Sequence, residues 1–400
     1  MASAAWHPFS RPCLSFALAL VAAGCGGSSA PSWSRFHGTN EPVGYAPAGL
    51  AVNATDWPIV MLGGGEPEED FVQRWTGSDW QPLDARGVAP VSISGVALAL
   101  DRAGRPVVLV QGYVLPTPIE PGRELGVYVI RWTGDAWEIV GGGTIDGDSG
   151  AAIALALDSE DRPLALVGTR HPGSQSFDDY RIVRWDGSSW QQLGSAPNPV
   201  PGSQLVPEFI AVDPAGFPVV ELLENDGAQV NAYVVRWDGG TWKLVGGAIR
   251  PAAGFDVMRA PTPLNNHLVL DSSGAPTVAF QTRFQAPEAS LGDSYVFRWT
   301  GNAWQMLGGP FPPGPPGSGV VALAVDRTDL PVIAVQDGSR GHLFRWVNGS
   351  WGAVGSEVDS GVDQSCDLLG MTIDSRNLPV VMFWQAGSVT NSLEVARLAR

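Results

Sequence analysis

The sequence predicts an all-β fold built from a repeated unit, and three observations support this prediction. An Arg-Trp pair is followed, five residues after its Trp, by a second Trp, and this happens six times. An Asp or Asn at the end of an apolar segment is followed five residues later by Pro, and this happens seven times. Gly (50 residues) and Pro (33 residues) are abundant, which is typical of many tight turns and few helices. A period of roughly 50 residues indicates a repeat architecture.

The repeated positions extend along most of the chain. The Trp pairs, which account for 12 of the 16 tryptophans, are Trp75/Trp80, Trp132/Trp137, Trp185/Trp190, Trp237/Trp242, Trp299/Trp304 and Trp346/Trp351. The turn pairs are Asn53/Pro58, Asp101/Pro106, Asp158/Pro163, Asp213/Pro218, Asp271/Pro276, Asp326/Pro331 and Asp374/Pro379.

Each repeat contains four candidate β-strands. Strand A is apolar and runs into the Asp, strand B begins at the Pro, strand C ends in Arg-Trp, and strand D contains the second Trp. Tight connections such as Thr133-Gly134 require antiparallel hairpins, which disfavours the alternative of a β-solenoid with parallel strands. Four-stranded units of this length, repeated radially, are the blades of a β-propeller.

The number of blades and the closure of the ring follow from an asymmetry at the chain ends. The seventh turn is followed by Arg397-Leu398 instead of Arg-Trp, and the sequence ends before a strand D. The segment from Trp33 to Gly38 carries the strand D pattern at the other end. The sequence therefore predicts a seven-bladed propeller of four-stranded antiparallel blades, in which residues 32–38 pair with the C-terminal strand. The predicted closure residues are Trp33, Phe36, Val395 and Arg397, and pairing there satisfies an otherwise open edge.

This order of elements resembles that of kelch-type propellers, which also have a Tyr-containing strand C and a Trp on strand D. Tyr128 and Tyr233 occupy such positions, and the kelch Gly-Gly doublet after strand B is present at Gly63-Gly64. The Arg-Trp and Asp…Pro elements are not part of the kelch consensus, so a distinct bacterial propeller family with the same architecture is an equal alternative. The resemblance implies a role in binding other proteins.

The repeated residues are expected to be structural, because a residue needed once for chemistry does not recur in every blade. We expect the Trp side chains to pack between neighbouring blades with their N–H groups bonded. We expect each turn Asp to bond the Arg of strand C or to cap nearby backbone. Asn53 provides an internal comparison, since it cannot form an ion pair with Arg74.

The N-terminus is typical of an export signal. Arg11 precedes an apolar run from Leu14 to Ala23 that is too short to span a bilayer. The following Gly24-Cys25 resembles a bacterial lipobox, which implies cleavage before Cys25 and lipidation of its thiol. The predicted organisation is a lipoprotein signal peptide (1–24), a flexible tether (25–31) and the propeller (32–400), in a lipid-anchored envelope protein; the alternative is a secreted protein. Cys366 is then the remaining free thiol of the mature chain, expected in the core.

Composition and motifs restrict the function more than they identify it. The formal net charge of −16 disfavours nucleic acid as a partner, because phosphate binding needs a basic surface. No Walker loop, dinucleotide fingerprint or Cys pair is present in the sequence, and no catalytic residue is predicted. Asp146 and Asp148 lie in a short acidic segment that could contribute to a Ca²⁺ site, although the distal Glu of a calcium loop is missing; no other cofactor is predicted.

The long B–C and D–A connections are the expected location of function, because variable loops on a rigid scaffold tend to carry binding sites. The leading hypothesis is a non-catalytic, envelope-anchored scaffold that binds a protein or glycan through these loops. One alternative is a lectin with aromatic pockets between the blades. The other is a glycan-active hydrolase or lyase with paired carboxylates at the central channel.

Overall fold

The structure is a computed structural model. It describes residues 32–38, 47–62, 71–88, 92–114, 123–145, 150–169, 179–225, 230–250, 255–257, 267–284, 291–309, 311, 319–358, 365–386 and 391–399. All of these belong to one compact unit that spans Pro31–Arg400. The predicted signal peptide and tether, including Cys25, lie outside the described residues, as do Asp146 and Asp148.

The described residues form seven antiparallel sheets and no helices, which confirms the predicted fold class. The closing strand is β1 (Trp33–Arg35). The first three blades are β2 (Pro47–Val52), β3 (Pro58–Leu62), β4 (Val72–Trp75) and β5 (Trp80–Pro82); β6 (Ser92–Leu100), β7 (Pro106–Val114), β8 (Arg123–Trp132) and β9 (Trp137–Ile139); and β10 (Gly150–Leu157), β11 (Pro163–Thr169), β12 (Asp179–Trp185) and β13 (Trp190–Gln192).

The remaining blades repeat this pattern. They are β14 (Gln204–Val212), β15 (Pro218–Asn225), β16 (Val230–Trp237) and β17 (Trp242–Leu244); β18 (Phe255–Val257), β19 (Leu268–Leu270), β20 (Pro276–Phe284), β21 (Leu291–Trp299) and β22 (Trp304–Met306); β23 (Gly319–Val325), β24 (Pro331–Asp337), β25 (Arg340–Val347) and β26 (Ser350–Ala353); and β27 (Ser365–Ile373), β28 (Pro379–Ala386) and β29 (Asn391–Leu398). In blade five the innermost strand has two parts, β18 and β19, which both pair with β20.

The strands of each blade are hydrogen-bonded in the order A-B-C-D. Strands A of neighbouring blades contact one another, which places them at the centre of the ring. Six blades have a one-residue register shift in strand A, a β-bulge, as between Gly95 and Ala97. Strand B is almost completely buried, as the continuous apolar sequence Pro106–Val110 requires.

The ring closes as the sequence predicts. β1 pairs antiparallel with β29, in a register that places Trp33 opposite Leu398 and Arg35 opposite Ala396. Two further backbone bonds extend the pairing, from Phe36 N to the Val395 carbonyl (3.0 Å) and from Ala399 N to the Ser32 carbonyl (2.7 Å). Blade seven therefore takes its fourth strand from the opposite end of the chain.

The core consists of apolar layers between adjacent blades. One such layer joins blade two to blade three through Val107, Leu109, Ala165 and Val167, all of which are inaccessible to solvent. Cys366 is buried in a similar layer, as expected of a core thiol. Within the described part of the chain, no helix is long and apolar enough to cross a membrane.

Candidate functional site

The ring has two chemically different ends. We call the end that carries the A–B and C–D turns the short-turn end, and the end that carries the B–C and D–A connections the long-loop end. Many side chains at the short-turn end bond within a blade or between neighbouring blades, as described below.

The A–B turns at the short-turn end share one hydrogen-bond pattern. In blade two, Asp101 Oδ1 accepts bonds from the backbone N–H groups of Ala103 (2.9 Å) and Arg105 (2.8 Å). In blade one, Asn53 Oδ1 accepts the equivalent bonds from the backbone N–H groups of Thr55 and Trp57. An amide oxygen therefore caps the turn as well as a carboxylate oxygen does. The turn Asp side chains are therefore backbone caps.

Five blades also make the predicted ion pair between the turn Asp and the strand C Arg. The N–O distances are 3.9 Å for Arg184–Asp158, 3.7 Å for Arg236–Asp213, 2.6 Å for Arg298–Asp271, 2.9 Å for Arg345–Asp326 and 3.0 Å for Arg397–Asp374. Blade two differs, because Asp101 pairs with Arg105 (2.8 Å) and Arg131 instead donates to the Asp161 carbonyl of blade three (2.6 Å). In blade one, Arg74 donates to Gln81 (2.9 Å).

A second set of contacts joins successive A–B turns. The third residue after the turn Asp or Asn has a positive φ in every blade, and it is Asp56, Gly104, Asp161, Gly216, Gly274, Asp329 or Asn377. Each of the four Asp or Asn side chains accepts a backbone N–H from the preceding blade, donated by Ser375, Arg102, Ser272 and Arg327 respectively. Where Gly274 occupies the position, the preceding blade offers Pro214, which has no N–H to donate.

The Trp pairs lie near the same end and also join blades. The two Trp of each pair are directly opposite in register, with ring centroids 5.2 to 5.6 Å apart. The strand D Trp donates its Nε1–H to the carbonyl that follows strand D of the preceding blade, as from Trp242 to Leu193 (2.8 Å). Within the described residues, Trp190 Nε1 has no such partner. All twelve paired Trp are buried or half-buried, so they are structural wedges and not an open aromatic surface.

The hairpin that carries Trp351 in blade six contains the predicted strands C and D, but it is longer at the turn than the other five hairpins. In the other five pairs, strand C ends at its Trp and strand D begins at the second Trp, as the sequence predicts. Here β25 continues to Val347 and β26 begins at Ser350, so that Trp351 is the second residue of its strand. Asn348 and Gly349 between them both have a positive φ, 51° and 80°, which is the backbone of a two-residue type I′ turn. The Asn-Gly sequence thus lengthens both strands by one residue.

The contacts of Trp351 are those expected of a wedge between neighbouring blades. Its Nε1–H donates to the Leu307 carbonyl of blade five (2.9 Å), and its ring lies 5.2 Å from that of Trp346. The ring of Phe311, from the D–A connection after blade five, meets it edge-on at 5.7 Å. The Trp351 side chain is nevertheless only half-buried, because strand D is the outermost strand of its blade. Its role is structural, but its burial is partial.

The central channel is lined by strands A. Its volume is about 430 Å³, and its described lining comes from blades two to seven. The lining side chains are those of Leu98, Leu155, Ile210, Ala211, Val212, Leu268, Val269, Leu270, Leu323, Ala324, Val325, Met371, Thr372 and Ile373. No ionisable side chain belongs to this set, which comes from the halves of strands A next to the A–B turns.

The long-loop end lacks the repetition of the opposite end. Much of it lies outside the described residues, including the predicted Ca²⁺ candidates Asp146 and Asp148. In the described part of the chain, no group of three or more His, Cys, Asp and Glu residues is placed to hold a metal ion. The B–C connection of blade six is short, since only Gly338-Ser339 separates β24 from β25; this differs from the long connections expected throughout.

Sequence reasoning missed a set of buried polar residues between blades four and five. Glu208, Glu221 and His267 are 8%, 2% and 3% exposed. Burial, with the charge of Glu208 as a second cause, raises the pKa of Glu221 well above its ordinary range. Burial lowers the pKa of His267 to about 4. An alignment of the repeats at their Pro residues would have revealed Glu221 as a charged residue at a core position.

Comparisons with known proteins find the fold and no family. No protein-family model and no curated protein sequence matches the chain. An ulvan lyase, a polysaccharide lyase solved with a GlcA(1-4)Rha3S ligand, has a TM-score of 0.54 at 12% identity, covering 93% of this chain and 94% of that one. A virginiamycin B lyase from Staphylococcus aureus has a TM-score of 0.53 at 13% identity, covering 92% and 99%.

A xyloglucanase from Xanthomonas campestris has a TM-score of 0.53 at 16% identity, covering 90% of this chain and 55% of that one. The chain therefore spans about half the length of that structure. At these identities the three likenesses show a shared propeller fold alone, since one fold supports many functions.

Proposed function

We propose that this chain is a non-catalytic binding propeller that recognises a protein or a glycan through its long-loop end. The observation that supports this most strongly is the difference between the two ends. At the short-turn end, the turn Asp, the strand C Arg and the strand D Trp are occupied by bonds within and between blades. The long-loop end carries connections that differ from blade to blade, which is where recognition is ordinarily placed on a rigid scaffold.

The wall of the channel supports binding over catalysis. A glycoside hydrolase needs a pair of carboxyl groups that face the substrate. The described lining of the channel consists of aliphatic side chains, Met371 and Thr372. The buried Glu208 and Glu221 belong to the layer between blades, and Glu221, at 2% exposure, is closed to a substrate.

The proposal includes attachment of the protein to the bacterial cell envelope through a lipid on Cys25. The support is the sequence alone, an apolar run followed by small residues and Cys. Metabolic labelling with a fatty-acid analogue tests this part separately: we expect labelling of the wild-type protein and none of Cys25→Ser. Equal labelling of both would contradict the anchor without affecting the binding role.

The binding role is tested with the isolated propeller, residues 32–400, as bait against an envelope extract and on a glycan array. One variant replaces residues 285–290 of the blade five B–C connection with the Gly-Ser turn that blade six already contains. A matched control changes the opposite end, Asp135→Ser in the C–D turn of blade two. We expect capture of a specific protein or glycan by the wild type and the control, and at least tenfold weaker capture by the loop variant.

Two outcomes would contradict the proposal. Capture that is lost in Asp135→Ser and kept in the loop variant would place binding at the short-turn end. Turnover of a captured glycan into shorter products by the purified propeller would replace the binding role with catalysis.

A further inference from the structure

A glutamate occupies a core position of blade four where the other blades have apolar residues. Glu221 is the third residue after the Pro that begins strand B. The equivalent residues are Met61, Leu109, Leu166, Ala279, Ala334 and Met382, and each is fully buried. Glu221 lies opposite Phe209 on strand A and Val234 on strand C, and its Oε2 has no hydrogen-bond partner among the described residues. A buried polar atom without a partner is costly and calls for an explanation.

The Glu221 side chain faces blade five. Its neighbours on the same face of β15, Val219 and Leu223, pack with Val278, Phe280 and Tyr295 of blade five, and alternate residues of a strand share a face. His267 reaches this interface from the other side, where its ring stacks on Phe209 with centroids 5.5 Å apart. The Nε2 of His267 also has no hydrogen-bond partner in the described part of the chain.

Two further features distinguish this interface from the others. The bulge residue of strand A is Glu208 in blade four, where the equivalent residues are Ala48, Val96, Ile153, Val321 and Leu369. The inner strand of blade five is also divided into β18 and β19, so that Val257 and Leu268 both pair with β20 although they are eleven positions apart. Among the described residues, the inner edge of this blade therefore consists of two short strands, whereas each of the other blades has one.

We propose that the interface between blades four and five is pH-sensitive. As the pH rises, the packing between these two blades opens locally and reversibly, and it opens more readily than the packing at the other interfaces. We call this interface the seam. Among the described residues, the titratable groups facing Glu221 are Glu208 from β14, His267 next to β19, and Tyr295 with Asp293 on the same face of β21. The described residues of β16 and β20 on this face, Ala232, Val234, Val278, Phe280 and Thr282, do not titrate.

The sign of the pH effect follows from the two buried groups. Because Glu221 binds its proton more tightly in the closed interface than in water, the closed state loses stability as pH rises above about 4.5. His267 has the opposite effect, since its pKa falls from 6.5 to about 4 on burial, and the closed state loses stability as pH falls below about 6.5. In the open state His267 is half protonated at pH 6.5 and about nine-tenths neutral at about pH 7.5, so above that pH Glu221 dominates the dependence.

Hydrogen exchange of the propeller between about pH 7.5 and 9, where His267 is largely neutral in both states, tests the seam. After division by intrinsic rates, protection of peptides from β15 and β20 is expected to fall by up to tenfold per pH unit, since one unit of pKa difference is a tenfold change. Protection of the β7 and β11 peptides, which form the interface of blades two and three, is expected to change less. Glu221→Gln, which has the same shape and no titrating group, is expected to remove the difference.

Control variants assign the effect to one residue. Glu224→Gln changes another buried glutamate of β15. The Oε2 of Glu224 already accepts a bond from Asn231 Nδ2 (3.0 Å). We expect this variant to behave like the wild type. Denaturant midpoints against pH provide a second readout for any variant that folds poorly. The proposal is overturned if Glu221→Gln keeps the wild-type pH dependence, if Asp293→Asn removes it instead, or if all interfaces respond alike.

Discussion

The short-turn end and the interface of blades four and five both contain buried charged groups, but they accommodate them in opposite ways. At the short-turn end, charged groups are paired. Asp326 accepts hydrogen bonds from two backbone N–H groups and forms an ion pair with Arg345. Between blades four and five, Glu221 and His267 are buried with one atom each that lacks a partner among the described residues. Burial of a charge is tolerated when it is paired and hydrogen-bonded, and otherwise the group becomes neutral. The difference teaches that blades with the same turn pattern can still differ in the polar groups buried between them.

Acid should weaken the short-turn end more than any single substitution. Burial alone would raise the pKa of Asp326, but bonds from Thr328 and Leu330 and the charge of Arg345 hold it below its usual value. The pKa values of Asp271 and Asp56 are lowered for similar reasons. Stability present above about pH 4 is therefore lost as pH falls through the lowered values. We expect unfolding between pH 4 and 2 to take up about two or more protons, measured from the slope of denaturant stability against pH. A slope near zero would contradict the pairing.

Substitutions at Asp326 separate the turn bonds from the ion pair. Asp326→Asn keeps an oxygen for the turn, as Asn53 does in blade one, and leaves Arg345 unpaired, so we expect a loss of about 2 kcal/mol. Asp326→Ala also removes the turn bonds, and we expect about 4 kcal/mol in total. Urea denaturation measures both. Equal losses in the two variants would mean that the ion pair accounts for the whole effect.

Two glycines at the ends of strands D test the contact between blades. Gly246 and Gly142 have the same φ of 72°, but a Cβ on Gly246 would lie 2.5 Å from Trp299 Cζ3, whereas nothing lies within 4 Å of one on Gly142. We expect Gly142→Ala to cost about 1–2 kcal/mol for backbone strain alone. Gly246→Ala should cost about 1–3 kcal/mol more because of overpacking against the Trp. Thermal denaturation of the pair gives the difference, and similar losses would show that the Trp moves aside freely.

The smallest expected effect concerns the bonds between successive turns. Asp161 accepts the backbone N–H and the Nε–H of Arg102 from blade two, and Gly occupies the same position in three other blades. Asp161→Gly keeps the positive φ without strain and removes an exposed contact, so a loss of less than about 1 kcal/mol is expected. A loss above about 2 kcal/mol in urea denaturation would show that these bonds contribute more than exposed pairs usually do.

The repeat made the ring predictable, because each blade provided independent support for the same strands. The shortage of one strand D at Arg397-Leu398, together with the unmatched Trp33, was sufficient to predict the closure that the structure contains. Of the two predicted roles for the turn Asp and the strand C Arg, five blades show the ion pair, whereas in blade two each caps backbone and Asp101 pairs with Arg105. That pairing depends on a residue inside the turn, which the repeat pattern does not specify.

The hairpin around Trp351 contains the predicted strands C and D, but the repeat did not specify their exact ends. The spacing of the two Trp is five residues in every pair, so spacing alone does not distinguish blade six from the others. The difference lies in Asn348-Gly349 between them, a dipeptide that favours a two-residue turn. Residues inside the turn therefore decide where β25 ends and β26 begins, while the repeat decides only that a hairpin forms.

The buried groups between blades four and five were not predictable in the same way. An alignment of the repeats at their Pro residues marks Glu221 as an exception in an apolar strand, but it does not show which groups Glu221 meets or whether they pair with it. Its burial depends on how β15 packs against blade five, a contact that joins residues from different repeats. The connections of the long-loop end carry no repeated residues, so no pattern in the sequence relates one of them to another.

The central claim, that the N-terminal segment completes blade seven, is tested by dividing the protein at its closure. The chain of residues 39–400 is prepared without β1, and a synthetic peptide of residues 31–38 is added back. We expect the shortened chain to be at least about 4 kcal/mol less stable, because it loses buried aromatic area and a strand of hydrogen bonds. The peptide should bind at a one-to-one ratio and restore the denaturation midpoint, whereas a Trp33→Ala peptide should bind at least tenfold more weakly. A shortened chain as stable as residues 32–400, with no binding of the peptide, would contradict the account.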